Sequence, residues 1–343
     1  MNRRAWRFAA QRLAALLPLL LGVCVFTFVL VRVLPGDPAV YYATGPVQSQ
    51  EEIDGVRKAL GLDKSLPVQL GNYVFDVFKG DLGRSLTTGQ PVTDDLQRRF
   101  PATLELTLSS LVLALLLAIP LGIVAAVRAG SWIDHAVRLI GTLGVSMPAF
   151  VTGVILILVF FFRLDWAPVP IDRIDTFIAA PNRVTGFLLA DSLLQGNWAA
   201  FRSALGHLAL PALTMTAFVL APVMRTTRAS MLSVLSSDYI RTARAAGMDW
   251  RKVYITYALR NAMVPVITVV GLMLSYLIGA NVVVEKVFAW PGVGSYALNA
   301  LLASDYAPVQ GYVLLMAISF ILINMTVDIL YAVIDPRVQG DSE

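Results

Sequence analysis

The chain has 343 residues, of which 57% are hydrophobic and only 15% are charged. A soluble domain carries about a quarter charged residues, so this composition argues against a water-soluble protein and predicts a membrane protein. The formal net charge of +4 does not indicate a nucleic-acid partner, because no basic run interleaved with aromatic residues occurs. The single cysteine, Cys24, excludes an internal disulfide framework and a cysteine-rich metal site.

Six apolar stretches are long enough to cross a bilayer core, which takes about 20 residues in a helix. In chain order they are Leu13–Val33, Leu104–Val127, Leu139–Phe162, Leu208–Met224, Ala262–Val284 and Gly311–Ile334. Pro211 and Pro222 interrupt the fourth stretch, but prolines are tolerated where neighbouring helices satisfy the freed backbone groups. The first stretch outlasts a signal-peptide core and is predicted to remain as an anchor. The predicted fold class is therefore an all-α membrane protein with about six transmembrane helices.

Residues 36–100, between the first two stretches, are predicted to form a small external subdomain. Within it, Glu51–Leu60 has apolar residues at helical spacing, and Val68–Phe78 is predicted to be a second short helix. The other predicted regions are an N-terminal tail with the first span at 1–35, a core with five spans at 101–335, and a tail at 336–343.

Lys and Arg are distributed unequally among the connections, and in membrane proteins they accumulate in short cytoplasmic loops. The N-terminal tail has four Arg and no acidic residue before Leu13, and the connection between the fourth and fifth stretches holds seven Lys and Arg against two Asp. The third-to-fourth and fifth-to-sixth connections have no excess of positive charge. Both termini, and the tail at 336–343, are therefore predicted to lie in the cytoplasm.

The connection at 225–261 is long for a simple loop and has the pattern of two short helices. Asp238 is placed to cap a helix Asp238–Ala246 that stops at Gly247, since glycine adopts the left-handed conformation that ends helices. Asp249 can cap a second helix, whose apolar and aromatic residues recur with a helical period: Trp250, Val253, Tyr254, Tyr257 and Ala258. On these grounds the segment is either an amphipathic helix resting on the bilayer or a rigid bracket that contacts a cytoplasmic partner.

The stretch Arg241-Thr242-Ala243-Arg244-Ala245-Ala246-Gly247 resembles the cytoplasmic signature of bacterial binding-protein-dependent ABC importer permeases. That signature runs Glu-Ala-Ala, three residues, Gly; Ala243 and Gly247 match it, whereas Arg241 and Thr242 replace Glu and Ala. These departures are similar to the dipeptide/oligopeptide/nickel branch, and to the first of its two permease subunits. The remaining similar stretches follow the branch in order along the chain: 34–38, 146–150, 258–262, 284–294 and Asp328 with Tyr331 and 335–337.

The resemblance implies a type I importer permease in the bacterial cytoplasmic (inner) membrane, surrounded by lipid and without catalytic activity of its own. Such a permease pairs with a second homologous permease, two ATPase subunits dock beneath the pair, and an external solute-binding protein delivers the solute. ATP and Mg would be bound by the partner subunits, and this chain would hold no cofactor and no metal. The chain has no GxxxxGK[ST] phosphate-binding loop.

The resemblance also implies which residues carry the function. The helix around Asp238–Gly247 would pass ATPase movement to the membrane helices, with Gly247 as its hinge. The predicted coupling residues are Asp238, Tyr239, Arg241, Ala243, Arg244 and Gly247. The candidates for the translocation path or gate are Ser146, Pro148, Glu285 and Asp328. For Asp328 a helix-packing role stays open beside a path role, because ionisable groups within membranes face either a bundle interior or a water-filled cavity.

The expected solute is a dipeptide or oligopeptide, with nickel, glutathione and sugars as alternatives, because specificity resides largely in the binding protein. An ion-coupled secondary transporter is a rival class, but such folds often have midplane carboxylates, for which only Asp328 is a candidate. An intramembrane serine protease would need a histidine near its serine. His135 and His207 fall on opposite predicted sides of the membrane.

Overall fold

The computed structural model describes residues 18, 20–29, 50–59, 61 and 63–334, and every regular element in this part of the chain is a helix. This result confirms the all-α fold class. The helices are α1 (Leu20–Val29), α2 (Gln50–Ala59), α3 (Leu66–Phe78), α4 (Val92–Val127), α5 (Trp132–Ser146), α6 (Ala149–Leu156), α7 (Leu188–Leu194), α8 (Trp198–Leu235), α9 (Asp238–Ala245), α10 (Arg260–Val287), α11 (Val293–Leu302) and α12 (Tyr306–Ile334). π-Helical segments follow α6 at Ile157–Arg163 and precede α10 at Lys252–Leu259.

Among the described residues, four helical stretches are long and apolar enough to cross a bilayer: Val92–Val127, Trp198–Leu235, Lys252–Val287 and Tyr306–Val327. The pair Trp132–Gly144 and Ala149–Arg163, bent by 103°, supplies a fifth when it is counted as one span. Of the first predicted span, Leu13–Val33, the described part includes the apolar helix α1. The rest of that span lies outside the described residues.

The fourth predicted span is the helix that differs most in length from its prediction. Leu208–Met224 is the centre of the 38-residue helix α8, which runs through both Pro211 and Pro222. Both prolines belong to a helix whose sides are packed by α5, α6, α7 and α10, and tertiary packing of this kind outweighs the local cost of proline. Hydropathy therefore predicts the apolar centre of α8 but not the extensions at its two ends.

The chain forms two compact units. The first comprises residues 1–101 and 291–321, and its core includes Val92, Leu96, Val293 and Tyr296. The second comprises residues 102–290 and 322–343, and α4, α5, α8 and α10 supply most of its core. In the second unit α5 and α8 approach each other so closely at Gly144 that a Cβ on this residue would lie 2.9 Å from the carbonyl oxygen of Ala217.

Candidate functional site

The segment that joins α8 to α10 is folded as two short helical pieces, as predicted. We call residues 238–261, which contain α9, the turn 246–249, the π-helical segment Lys252–Leu259 and the first two residues of α10, the bracket. α9 ends in a Schellman motif. The amide of Met248 donates to the carbonyl of Ala243 at 3.2 Å, and the amide of Gly247 donates to the carbonyl of Arg244 at 3.0 Å. Gly247 has φ +70°, and a Cβ built there would meet nothing within 4 Å. Glycine is therefore required by the backbone conformation and not by crowding.

The start of α9 corrects one prediction. Asp238 is not the N-cap: Ser237, with extended backbone, precedes the helix, and Asp238 is its first helical residue. The Asp238 carboxylate forms an ion pair with Arg241 one turn later. Ser and Asp are both common N-caps, so adjacent residues of these two types leave the boundary ambiguous in the sequence. A carboxylate in the first turn still suits the positive end of the helix dipole.

The second piece of the bracket also differs from its prediction. Asp249 does accept a hydrogen bond from the amide of Arg251 at 3.1 Å, as a cap should. The buried residues of the following segment, however, are Val253 and Ala258, whereas Trp250 and Tyr257 are 59% and 41% exposed. A π-helix bonds residue i to i+5, so positions five apart share a face. The predicted α-helical period was therefore wrong for this segment.

Ile240 fixes the bracket to the membrane helices. It is the buried residue of α9, and its side chain belongs to a cluster with Met231 of α8, Val253 and Ala258. Ala126, near the end of α4, belongs to the same cluster. Full burial of one isoleucine contributes roughly 1.5–3 kcal/mol, so this side chain stabilises the packing of α9 against the end of α8.

Two polar contacts connect the halves of the bracket. The amide nitrogen of the Asn261 side chain donates to the Tyr239 hydroxyl at 3.0 Å, and Arg244 lies over the Tyr254 ring, 5.4 Å from its centroid. Both Tyr239 and Asn261 lie in stretches that resemble the permease branch. The structure brings these two stretches together, so Tyr239 has a role within the bracket besides any contact with a partner.

The remaining predicted coupling residues lie on the outer surface of the bracket. Asp238, Tyr239, Arg241 and Arg244 are exposed, and Ala243 is half-buried against the Ile240 cluster. Met248 and Trp250 extend the exposed surface with apolar side chains. Exposed aromatic, methionine and arginine side chains are the types enriched in protein interfaces. The arrangement therefore suits the docking of a protein partner.

An ion pair that the sequence did not reveal joins α8 to α5. Arg228 donates to Asp134 through two nitrogens, Nε to Oδ1 at 2.6 Å and Nη2 to Oδ2 at 2.8 Å. Asp134 is 1% exposed and also accepts a hydrogen bond from the amide of Gly130 at 3.0 Å. Paired hydrogen bonds from one guanidinium fix direction as well as distance. The start of α5 is thereby tied to the part of α8 that leads into the bracket.

Two of the path or gate candidates, Ser146 and Pro148, lie at the bend between α5 and α6. Ser146 ends α5 and donates to the carbonyl of Thr142 at 2.7 Å, and Pro148 is the cap residue of α6. Both side chains are exposed in this single chain. The residue before a proline is disfavoured in the helical region, which explains why α5 ends before Met147.

The other two candidates are far from this bend in the sequence. Glu285 is fully buried on α10 and accepts a hydrogen bond from the Thr103 hydroxyl at 2.5 Å. One turn earlier on α10, Asn281 donates to Thr107 at 2.5 Å, so two polar positions on each helix face each other. The backbone of Asp328 lies in α12, and its side chain lies outside the described part of the structure.

Buried charged side chains hold the loop between α6 and α8 against the rest of the second unit. Glu105 of α4 pairs with Arg173 and accepts a hydrogen bond from the amide of Leu189 at 2.8 Å. Burial opposes the charge of Asp191, but its hydrogen bonds from Thr185, Gly186 and Val184 outweigh this effect and lower its pKa. Glu105 is therefore a buried partner of this loop.

Sequence reasoning missed the contacts that connect the site to the rest of the molecule. The sequence patterns do not single out Asp134, Arg228 or Ile240. The available signals were weak: Asp134 follows the N-cap Ser131 by three residues, and Ile240 is the one large apolar residue of α9. Neither signal indicates which residue on another helix the side chain contacts.

The geometry is that of a polytopic membrane protein with a structured, interface-like connection between two membrane helices. The family model "Binding-protein-dependent transport system inner membrane component" matches residues 118–340, and the N-terminal model of the same systems matches residues 5–107. The chain therefore belongs to the family of inner-membrane permeases of binding-protein-dependent transport systems, which are ABC importers.

Similar curated proteins agree with this assignment over nearly the full length. The probable D,D-dipeptide transport system permease protein DdpB of Escherichia coli (strain K12) is 45% identical over 97% of both chains. The di/tripeptide permease DppB of Pseudomonas aeruginosa (strain UCBPP-PA14) is 41% identical over 97% of this chain and 98% of its own. The glutathione permease GsiC of Escherichia coli (strain K12) is 40% identical with the same coverage.

Such a permease is the non-catalytic membrane component of its transport system. It acts with a solute-binding protein and with ATPase subunits.

Proposed function

We propose that this chain is one of two homologous permease subunits of an importer for dipeptides and short oligopeptides. The observation that supports this substrate class is the identity of 45% and 41%, over 97% of this chain, to relatives named as D,D-dipeptide and di/tripeptide permeases. In the proposed assembly a second permease completes the membrane pathway, two ATPase subunits bind ATP and Mg, and an external binding protein delivers the peptide. The N- and C-termini lie in the cytoplasm.

In this proposal the exposed surface of the bracket docks on an ATPase subunit. Tyr239, Arg241 and Arg244 make the contact, and the Schellman turn at Gly247 holds α9 at a fixed angle to the second piece. Since Ile240 packs against the ends of α4 and α8, movement of α9 passes to these helices as rigid-body movement. A loose loop would absorb the same displacement.

The movement then reaches the bend at Ser146 and Pro148. The Asp134–Arg228 pair fixes the start of α5 to α8, and α5 leads directly into the bend. ATP, bound by the ATPase subunits, can shift the assembly between inward-open and outward-open states only if it binds the two states with different affinities. The bracket is the part of this chain that carries that difference to the membrane helices.

Glu285 is assigned to the gate on the external side. Its carboxylate bonds to Thr103 of α4, and its carbonyl accepts from the amide of Trp290 at 2.8 Å, so one residue fixes both α4 and the turn after α10. If the pathway opens on this side, either these two hydrogen bonds break or α4, Glu285 and the turn after α10 move together.

The substrate class is tested by uptake in a strain that lacks this gene and is complemented with it. We expect the complemented strain to accumulate a labelled dipeptide, and unlabelled dipeptides and tripeptides to compete with it. The glutathione permease relative at 40% identity makes glutathione the second candidate. Uptake of labelled glutathione without competition from dipeptides, or uptake of nickel or a sugar alone, would contradict the peptide assignment. A strain with the empty vector is the control for other uptake systems.

A further inference from the structure

The external-subdomain helix α3 exposes large apolar side chains. None of its residues is fully buried, and Val68, Phe75 and Phe78 are 47%, 59% and 59% exposed. At about 100° per residue, these three side chains fall within a sector of about 80° on the helix surface. They form one continuous apolar stripe, and the aromatic members are too large to leave in water without cost.

Polar residues occupy a second sector of the surface of α3. Gln69, Asn72 and Asp76 share a neighbouring polar sector, by the same helical spacing. The third sector faces protein: the Tyr73 hydroxyl lies 3.3 Å from the Thr27 hydroxyl, and its ring centroid lies 6.0 Å from that of Phe28. The helix therefore has one side that contacts α1, one polar side and one apolar side that is exposed in the part of the chain that the structure describes.

The contacts of Tyr73 place α3 at the level of the membrane. Thr27 and Phe28 belong to α1, an apolar helix that exposes Leu21, Val25, Phe26 and Val29 on its own surface. Gln310, in the first turns of the membrane helix α12, donates to the carbonyl of Thr27 at 3.4 Å. α3 thus packs on the apolar helix α1 at the level of the first turns of the membrane helix α12, where hydrocarbon meets headgroups.

From this position we propose that α3 is an in-plane membrane anchor, with Val68, Phe75 and Phe78 inserted into the lipid leaflet beside α1 and Asn72 and Asp76 facing water. An amphipathic helix with aromatic residues on its apolar side binds the boundary between headgroups and acyl chains in this way. Lys79, whose ammonium lies 4.1 Å from the centroid of the Phe75 ring, follows the helix and is placed to reach lipid phosphates. The anchor holds the external subdomain at the bilayer surface, and the proposal does not depend on which solute is carried.

The test uses spin labels on the full assembly in lipid nanodiscs. Because Cys24 is the only cysteine, Cys24→Ser gives a cysteine-free background for single cysteines at Phe75, Phe78, Asn72 and Asp76. All four positions are exposed, so the substitutions leave the packing intact. We expect labels at Phe75 and Phe78 to collide several-fold more with oxygen than with nickel-EDDA, and labels at Asn72 and Asp76 to show the reverse.

Two results would overturn the proposal. Equal access of nickel-EDDA to Phe75 and Asp76 would mean that the apolar stripe faces water. Low access of both reagents to Phe75 and Phe78 would mean that a protein, such as the second permease or the binding protein, covers the stripe. A membrane-impermeant maleimide gives an independent reading without the bulk of a spin label, and it should react several-fold faster at Asn72 and Asp76 than at Phe75 and Phe78.

Discussion

Asp134 and Arg228 are 94 residues apart in the chain, yet they form a two-point ion pair with distances of 2.6 and 2.8 Å. The Asp134 side chain is almost fully buried, whereas that of Arg228 is 24% exposed. The pair joins the start of α5 to the end of α8, next to the bracket. It links the part of α8 next to the proposed ATPase contact to the helix that leads to the bend at Ser146 and Pro148.

Removal of one partner of this pair should be costly. Asp134→Ala leaves the Arg228 guanidinium partly buried without its partner, and we expect a loss of roughly 3 kcal/mol, a typical value for a broken buried pair. The loss would be measured as a lower midpoint of thermal unfolding in detergent. Arg138→Ala is the matched control, because Arg138 lies 3.6 Å from the same carboxylate but is 47% exposed and should change the midpoint little.

Gly247→Val should abolish transport while the subunit remains in the membrane. A left-handed conformation costs a non-glycine residue roughly 1–2 kcal/mol, and more when the residue is β-branched, so the turn after α9 would rearrange. The measurement is peptide uptake with subunit levels checked by immunoblot. Gly89→Val is the control: Gly89 has φ +68° and equally open surroundings but lies outside the bracket, and its variant should transport. Normal uptake by Gly247→Val would contradict the bracket model.

Tyr239→Phe separates the two roles of this tyrosine. The substitution removes the hydroxyl that accepts a hydrogen bond from Asn261 and keeps the ring, so we expect a stability loss of about 1 kcal/mol and nearly normal ATPase binding. Tyr239→Ala removes the ring as well and should weaken ATPase binding. Equal binding by the two variants would mean that the ring does not contact the ATPase.

Ile240→Ala should loosen α9 from the membrane helices. The side chain is fully buried, so the cavity and lost burial should cost roughly 2–4 kcal/mol locally. We expect ATP hydrolysis by the assembly to continue while uptake falls, because the bracket would still dock but would no longer transmit movement. The ratio of peptide transported to ATP hydrolysed is the measurement, and an unchanged ratio would refute the transmission role of Ile240.

The loop held by Asp191 should depend on pH in one direction. Its folded-state pKa is lowered, so the hydrogen bonds to its carboxylate stabilise the loop above the unfolded pKa of about 3.9, and this contribution is lost as pH falls through the lower folded value. Limited proteolysis of the loop should therefore be unchanged from pH 7 to 5 and should rise below about pH 4. In Asp191→Asn the rise below pH 4 should be much smaller. A rise between pH 7 and 5 would contradict this assignment.

Four of the six predicted spans and the two-part connection were predictable because hydropathy and glycine or proline punctuation are local properties of the sequence. Gly247 was found because the left-handed turn needs a glycine. The π-helical period of Lys252–Leu259 was not predictable, since it follows from packing of Val253 and Ala258 on other helices. The same is true of the Asp134–Arg228 and Tyr239–Asn261 contacts, whose partners are distant in the chain.

Co-purification is the sharpest test of whether this chain works as the membrane subunit of an ATP-driven importer through its bracket. The tagged chain would be extracted from its native membrane in mild detergent, and its partners would be identified by mass spectrometry, with Arg241→Glu/Arg244→Glu in parallel. We expect a second permease and ATPase subunits with the unaltered chain, and loss of the ATPase subunits alone from the double variant. Recovery of a homo-oligomer without ATPase would contradict the importer assignment, and retention of the ATPase by the double variant would contradict the bracket as its docking surface.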